Sequence, residues 1–325
     1  MSLSTEAAGV RRPPTARPVG RPSAGLRWFA VFTVVVLFGV VVLGFLDTAT
    51  GSALGCGRQF PLCDGRFLPE PTLTSVIEWA HRVVSAFAGV LVLVLVIWAW
   101  VAARASAHVR ILGLVGLGFL VIESAVGAMA VLVPEPDALV ALHLGIALTS
   151  FGAIAVLTLA LWRLPRAVAV PVPSVAVRRY LWALLVFTYA VVYLGALVAQ
   201  VRAGPACGGW PLCEGALVPA HWSWPVLLDF THRMVALATL GVFWLTTRVL
   251  RPLRASRPDL YRAGHVAFGL VFLIALSGGY LVLSHIALQA TLLHVALVTL
   301  LFAVVFYLCA FATPSRAETS AQVTS

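Results

Sequence analysis

The sequence predicts an all-α integral membrane protein with eight transmembrane helices, arranged as two four-helix bundles. Three observations support this prediction: a composition that is 61% hydrophobic and only 10% charged, long apolar stretches that recur along the chain, and an internal repeat that divides the 325 residues into two similar halves. So much apolar surface exceeds what a soluble core of this size would bury. A lipid bilayer is therefore the expected solvent.

Each apolar stretch is long enough to cross about 30 Å of hydrocarbon as a helix. We predict spans at roughly 27–47, 76–101, 109–133, 138–162, 180–200, 225–250, 263–284 and 287–312. The first 25 residues, rich in Pro, Ala, Ser and Arg, and the tail 313–325 are expected to be disordered. Span 1 is expected to be retained, because it is longer than a usual signal-peptide core and no convincing cleavage site follows it.

The formal net charge of +10 comes from arginine, which supplies all 22 basic residues. Arginine is concentrated before span 1 and in the 2–3, 4–5 and 6–7 connections, and one arginine follows span 8, whereas the opposite loops hold only Arg58, Arg66 and Arg202. The positive-inside rule therefore predicts that both termini are cytoplasmic and that loops 48–75 and 201–224 face outward. The expected location is a bacterial cell membrane. The positive charge is therefore expected to set the orientation in the lipid membrane and not to bind nucleic acid.

A shift of about 151 residues aligns the two halves of the sequence. It pairs Cys56 with Cys207, Cys63 with Cys213, Glu78 with Asp229, His81 with His232, Arg82 with Arg233 and His143 with His294. Because each half has an even number of spans, both halves enter the membrane in the same direction, which predicts a pseudo-twofold axis along the membrane normal. The expected bundles are 26–163 and 180–312, joined by a cytoplasmic linker at 164–179.

Four histidines, one in each even-numbered span, lie at one predicted depth, about 8–10 Å below the outer boundary. They are His81, His143, His232 and His294. Ionisable groups are rare inside a bilayer and usually face a cavity or a partner. Two imidazoles facing each other across a bundle suit the axial positions of a haem iron, whereas zinc would require three or four ligands. The alternative to haem binding is that the four histidines only form hydrogen bonds between neighbouring helices.

A carboxylate precedes two of these histidines by three residues and so shares their helical faces. Glu78 stands before His81, and Asp229 stands before His232. Such a carboxylate can move protons during catalysis or orient its histidine. Catalysis is favoured for Glu78, and a supporting role fits Asp229.

Three further charged residues fall in or beside the predicted spans. Arg82 and Arg233 follow two of the histidines near the outer interface, where a guanidinium can contact a haem propionate or anchor the helix end. Glu123 lies near the middle of span 3 without a counterpart in the other half. It is interpreted either as a proton-path residue or as a protonated partner in helix packing.

Each outward loop contains two cysteines, in a compartment where disulfides persist. We predict the pairs Cys56–Cys63 and Cys207–Cys213, which act either as structural staples or in redox exchange. Cys309 has no counterpart and is interpreted as a buried apolar residue. The remaining histidines are not expected to bind iron, because they lie in loops or near helix ends: His108, His221, His265 and His285.

These features together resemble the haem A synthase family, CtaA/Cox15. The resemblance covers about Leu26 to Phe311 and consists of the two four-helix halves, the paired loop cysteines, a Glu-x-x-His motif at the start of span 2 and the histidines of spans 4, 6 and 8. It implies oxidation of the C8 methyl group of haem O to the formyl group of haem A. The oxidation would proceed through successive hydroxylations with water-derived oxygen, for aa3-type cytochrome oxidase.

The resemblance also implies different roles for the two halves. His81 and His143 would hold the substrate haem beside a catalytic Glu78, and His232 and His294 would hold a permanent haem b. The cysteines of the first loop would take part in turnover. Implied partners are haem O, haem O synthase (protohaem farnesyltransferase) and cytochrome oxidase assembly factors.

Two other functions are compatible with the residues alone. The first is a bis-histidine cytochrome b that only transfers electrons and holds two haems permanently. The second is a haem transporter or disulfide-exchange protein, in which the loops carry the function and the histidines of the second half are dispensable.

Overall fold

The computed structural model describes residues 22–104, 106–134, 136–164 and 170–313. Within these ranges it contains eight long α-helices and no β-strand. The helices are α1 (Ala24–Ala49), α2 (Leu73–Ala102), α3 (Ala107–Leu132), α4 (Asp137–Arg163), α5 (Val175–Gln200), α6 (Trp224–Leu250), α7 (Pro258–Leu283) and α8 (Leu288–Ala312). Each helix is long and apolar enough to span a bilayer. The predicted all-α, multi-pass membrane architecture is confirmed.

The predicted terminal segments and linker are only partly described. Apart from residues 22–25 and Thr313, the termini for which disorder was predicted lie outside the described ranges, as do residues 165–169 of the linker. α5 begins at Val175, five residues before the predicted start of span 5. The earlier start follows from Ser174, whose side chain accepts a hydrogen bond from the backbone N–H of Val177.

Serine or threonine caps four other helices in the same way, and the cap satisfies a backbone N–H that has no partner within the first turn. The capping residues are Ser23, Thr72, Ser106 and Ser223. Each helix in the second set of four begins 151 residues after its counterpart in the first. We call α1–α4 the N-terminal half and α5–α8 the C-terminal half; the symmetry axis between them stays a prediction.

α4 and α8 lie at the centre of the protein, and each packs against helices of both halves. Glycine allows these central helices to approach their neighbours closely. A Cβ at Gly145 would lie 2.5 Å from the ring of Tyr189 on α5, and a Cβ at Gly152 would lie 3.2 Å from Phe306 on α8. Small residues at such contacts are how helices associate in lipid, where apolar burial alone supplies little driving force.

A polar cluster joins the two halves at the helix ends opposite the cysteine loops. Asp259 of α7 accepts two hydrogen bonds of 3.0 Å from Arg257 and lies 3.4 Å from Nη1 of Arg163 on α4. The hydroxyl of Tyr307 on α8 donates to the same carboxylate at 3.2 Å. This cluster links α4, α7 and α8 and so helps to hold the histidine-bearing helices in register.

Candidate functional site

The four predicted histidines form two pairs, one in each half. His81 of α2 lies within electrostatic range of His143 of α4, and His232 of α6 lies within the same range of His294 of α8. No group of three or more His, Cys, Asp or Glu side chains is arranged to hold a metal ion in the described part of the chain. Each half therefore offers two imidazoles, the number that a bis-histidine haem iron takes from a protein.

Each of these imidazoles lies against a glycine of the preceding helix. A Cβ added at Gly195 would lie 2.8 Å from Cε1 of His232, and one added at Gly44 would lie 3.1 Å from Cε1 of His81. The other two contacts are Gly127 to His143 at 3.1 Å and Gly278 to His294 at 3.5 Å. The recurrence at all four positions indicates that these glycines, which we call the seat glycines, make room for the rings.

Three of the rings do not hydrogen-bond to neighbouring helices through Nδ1. The Nδ1 atoms of His81, His143 and His232 are buried and find no hydrogen-bond partner among the described residues. Leaving a buried polar atom unpaired costs about 1–3 kcal/mol, which a purely structural histidine would avoid. Hydrogen bonds through Nδ1 therefore do not explain the rings of His81 and His232, which suit the axial positions of a haem iron. His143 contacts α3 through its other nitrogen, Nε2, which lies beside Glu123.

His294 differs, because a serine of α7 fixes its ring. The hydroxyl of Ser277 donates to the carbonyl of Ile274, and its oxygen lies 2.9 Å from Nδ1 of His294. We assign the proton to Nδ1 of His294, which leaves Nε2 free to bind a metal. The equivalent residue in the N-terminal half is Val126, which cannot make this bond.

His143 has an acidic neighbour instead. Its Nε2 lies 3.2 Å from Oε1 of Glu123 on α3. The residue equivalent to Glu123 in the C-terminal half is Ile274. Glu123 also lines a small cavity between α1, α3 and α4. The acid that had no counterpart in the sequence is thus part of the N-terminal histidine site.

The sequence left two roles open for Glu78, proton transfer in catalysis or a hydrogen bond that orients His81. Among the described residues, Glu78 makes no hydrogen bond to His81. Its buried carboxylate, 2% exposed, accepts a hydrogen bond from the backbone N–H of Cys56 at 2.6 Å and forms an ion pair with Arg82. Nη1 of Arg82 in turn donates to the carbonyls of Gln59 and Leu62 at 2.8 and 2.9 Å. The pair therefore holds the first cysteine loop against α2, directly above the histidine.

The C-terminal half repeats this arrangement with the shorter carboxylate. Asp229, 3% exposed, accepts from the backbone N–H of Cys207 at 3.1 Å and from Arg233 at 3.1 and 2.8 Å. Nη1 of Arg233 donates to the carbonyls of Gly209 and Leu212 at 2.7 and 3.3 Å. Both arginines thus bind loop carbonyls, and their predicted contact with haem propionates stays a prediction.

Comparison with known proteins shows the family of the chain. Residues 70–306 match the COX15-CtaA family, described as cytochrome oxidase assembly protein. The chain belongs to this family. It is 37% identical to the heme A synthase of Symbiobacterium thermophilum, over 91% of this chain and 98% of that protein. It is 34% identical to the heme A synthase of Geobacillus kaustophilus (90% and 92%) and 35% identical to that of Staphylococcus saprophyticus (87% and 94%).

In this COX15-CtaA member, the cysteines pair as the sequence predicted. Cys56 is bonded to Cys63, and Cys207 to Cys213. A glycine with positive φ follows the first cysteine of each pair, at +67° for Gly57, where a Cβ would collide with Asp64. Cys309 is buried in α8, in agreement with its interpretation as a buried apolar residue.

The sequence analysis missed Asp47 of α1. This residue is 8% exposed, its Oδ1 finds no hydrogen-bond partner among the described residues, and it interacts electrostatically with Glu78 and Arg82. Its counterpart in the other half is Val198. An acid inside a predicted span was the available signal, the same signal that singled out Glu123. The N-terminal half of this family member thus adds two acids that the C-terminal half lacks.

Proposed function

We propose that this protein is a haem A synthase, an oxidoreductase that converts haem O to haem A for cytochrome oxidase. The observation that carries the proposal is the pair of neighbouring histidines in each half of a chain that belongs to the COX15-CtaA family and resembles heme A synthases along nine-tenths of its length. A protein that handles a substrate haem beside a resident one needs two such sites. The alternative of a cytochrome b is not favoured.

The reaction turns the C8 methyl group of haem O into a formyl group with an oxygen atom from water. Each methyl group and one water molecule give one formyl group, four electrons and four protons. The electrons leave through successive oxidations, with a hydroxylated methyl group between them. Groups near the substrate must therefore accept protons, and a redox partner must accept electrons.

We assign the substrate to the N-terminal half, on His81 and His143. Support comes from the acids that only this half contains, Asp47 and Glu123, in addition to Glu78. The ring of His143 lies beside Glu123 and has no partner like Ser277, which suits a ligand that binds and releases successive substrate molecules. Carboxylates near the reacting methyl group can accept its protons.

We assign a permanent haem b to the C-terminal half, on His232 and His294. Ser277 fixes the ring of His294, and residues that orient a metal ligand commonly strengthen its affinity. When bound, haem b supplies one-electron redox chemistry. The protein would supply the two imidazoles that hold the iron, of which Ser277 orients that of His294, whereas Asp229 and Arg233 hold the loop above the site.

Glu78 connects the substrate site to the first cysteine loop. Its carboxylate binds the backbone N–H of Cys56, a member of the disulfide Cys56–Cys63, and lies one helical turn before His81. We propose that Glu78 serves the chemistry and keeps this disulfide close to the substrate. The loops face outward and both termini are cytoplasmic, as the arginine distribution predicts. Haem O synthase and oxidase assembly factors are the proposed partners.

The decisive experiment produces the protein together with a haem O synthase in a host that lacks haem A, and identifies the extracted haems by mass. Haem A in the extract is expected. A folded, haem-loaded protein that yields only haem O and haem B would contradict the proposal. Two equivalents of haem b with haem O unchanged would indicate the cytochrome b instead.

A variant pair tests the assignment of the halves. Glu78→Ala is expected to keep its haem b but to make no haem A, or to stall at the hydroxylated intermediate. The matched variant Asp229→Ala removes the equivalent carboxylate and is expected to weaken the C-terminal haem site. Full production of haem A by Glu78→Ala would show that Glu78 is structural only.

A further inference from the structure

A groove runs along the membrane-facing side of the N-terminal half, between α2 and α3. Its lining is apolar except for one serine hydroxyl, and it consists of Gly89, Leu93, Leu117, Leu120, Val121 and Ser124. Leu93 and Val121 are 45% and 62% exposed, so the groove is open towards the acyl chains of the bilayer. We call it the α2–α3 groove.

The α2–α3 groove lies next to the N-terminal histidine site. Leu120 lines both the groove and the cavity that contains Glu123, and Glu123 touches His143. Ser124, the polar residue of the groove, directly follows Glu123 in α3. The helix rises about 9 Å between residues 117 and 123. The groove therefore begins beside the proposed substrate site and extends away from it along the lipid face.

The C-terminal half has larger residues at most of these positions. The 151-residue shift places Leu240 at the position of Gly89, Trp244 at Leu93, Phe268 at Leu117 and Phe272 at Val121. Only Leu120 and Ser124 have smaller counterparts, Val271 and Ala275. Leu240 and Phe268 pack against the hydrophobic core. Leu240 and Phe268 thus occupy space that Gly89 and Leu117 leave open, whereas Trp244 and Phe272 are 49% and 53% exposed. The corresponding groove between α6 and α7 is narrower.

We propose that the α2–α3 groove binds the farnesyl chain of haem O. This inference rests on the proposed function. Haem O carries a long apolar hydroxyethylfarnesyl chain that haem b lacks, so the half with the open groove suits haem O and the half with the narrower groove suits haem b. The hydroxyl at the root of the chain would meet the polar end of the groove, at Ser124.

The groove would select and orient haem O through the fit between its walls and the farnesyl chain. Lipid chains are as apolar as the groove, so moving the farnesyl chain out of lipid gains little from the hydrophobic effect, and packing contacts decide the fit. Two axial bonds leave a haem free to rotate about the line between its ligands. A chain held on one side removes that freedom, so that the same methyl group always reaches the reactive position.

The test fills the groove with the residue of the other half. Gly89→Leu protein, purified with its C-terminal haem b, is titrated with haem O and separately with haem B while the absorbance of the N-terminal site is followed. The affinity for haem O is expected to fall about tenfold or more, as for an overpacked apolar site. The affinity for haem B is expected to remain close to that of the wild type. Val121→Phe fills the groove from α3 and is expected to act in the same way.

Gly39→Leu is the matched control. A Cβ meets nothing within 4 Å at either Gly39 or Gly89, but Gly39 belongs to α1 and does not line the groove. Retained C-terminal haem b reports that each variant is folded. If Gly89→Leu and Val121→Phe bind haem O as tightly as the wild type, or lose haem O and haem B equally, the groove does not bind the chain. A wild-type protein that binds haem O without converting it would instead refute the proposed function.

Discussion

Replacing Gly195 by alanine tests whether the seat glycines position the iron ligands. Gly195 belongs to α5 and lies against His232 of α6, in the half that we assign to haem b. The alanine methyl group would lie 2.8 Å from Cε1, 3.4 Å from Nε2 and 3.6 Å from Nδ1 of that ring. The ring must therefore tilt or shift, and its ligating nitrogen must move with it.

The size of the effect follows from the contact distance. Real Cβ atoms essentially never come within 3.0 Å of another heavy atom, and ordinary van der Waals contact begins near 3.4 Å, so the ring must move by more than half an ångström. Overpacking of this kind costs about 1–3 kcal/mol, which corresponds to a loss of about 5-fold to about 140-fold in affinity for haem b. Gly278→Ala, at 3.5 Å from His294, is expected to change the affinity far less.

The assay measures haem b per protein and the low-spin spectrum of the C-terminal haem in detergent, by absorbance and electron paramagnetic resonance. Gly195→Ala is expected to lose haem and to show an altered or high-spin signal. Gly241→Ala is the control, because a Cβ there meets nothing within 4 Å. A shift in the spectrum of the remaining bound haem separates misplacement of the ligand from a general loss of folded protein.

Wild-type haem content together with a wild-type spectrum in Gly195→Ala would refute this reasoning. An equal loss in Gly195→Ala and Gly241→Ala would also refute it, because the effect would then belong to the substitution and not to the contact with His232.

Two further predictions concern the partners of the C-terminal site. Ser277→Ala removes the hydroxyl that orients His294 and is expected to lower the affinity for haem b about 10- to 100-fold, whereas an unchanged affinity in a haem titration would mean that Ser277 only packs. Arg233→Leu leaves the buried carboxylate of Asp229 without its cation and is expected to destabilise the fold by about 3–5 kcal/mol in denaturant titration. Arg66→Ala breaks an exposed ion pair and should cost less than about 1 kcal/mol, so equal losses in the two arginine variants would contradict a special role for the buried pair.

Much of the fold could be predicted because the bilayer imposes it. A span needs about 20 apolar residues and must satisfy its own backbone, so hydropathy alone located all eight helices to within a few residues. The histidine pairs and the cysteine pairs were recognisable because the repeat shows each of them twice. Asp47 was missed because it is the last residue of the predicted span 1, whereas Glu123, which likewise has no acidic counterpart, lies near the middle of its span.

The sequence by itself determined the eight spans, the 151-residue repeat and the pairing of the loop cysteines. Only the tertiary structure decided that Glu78 and Asp229 bind the cysteine loops, that Ser277 and Glu123 make the two histidine sites unequal, and that glycines seat the rings. The physical reason is that a helix in lipid is apolar on almost every face, so its sequence does not show which face turns inward. That rotation is set by contacts with other helices, and it places side chains from distant parts of the chain around one site.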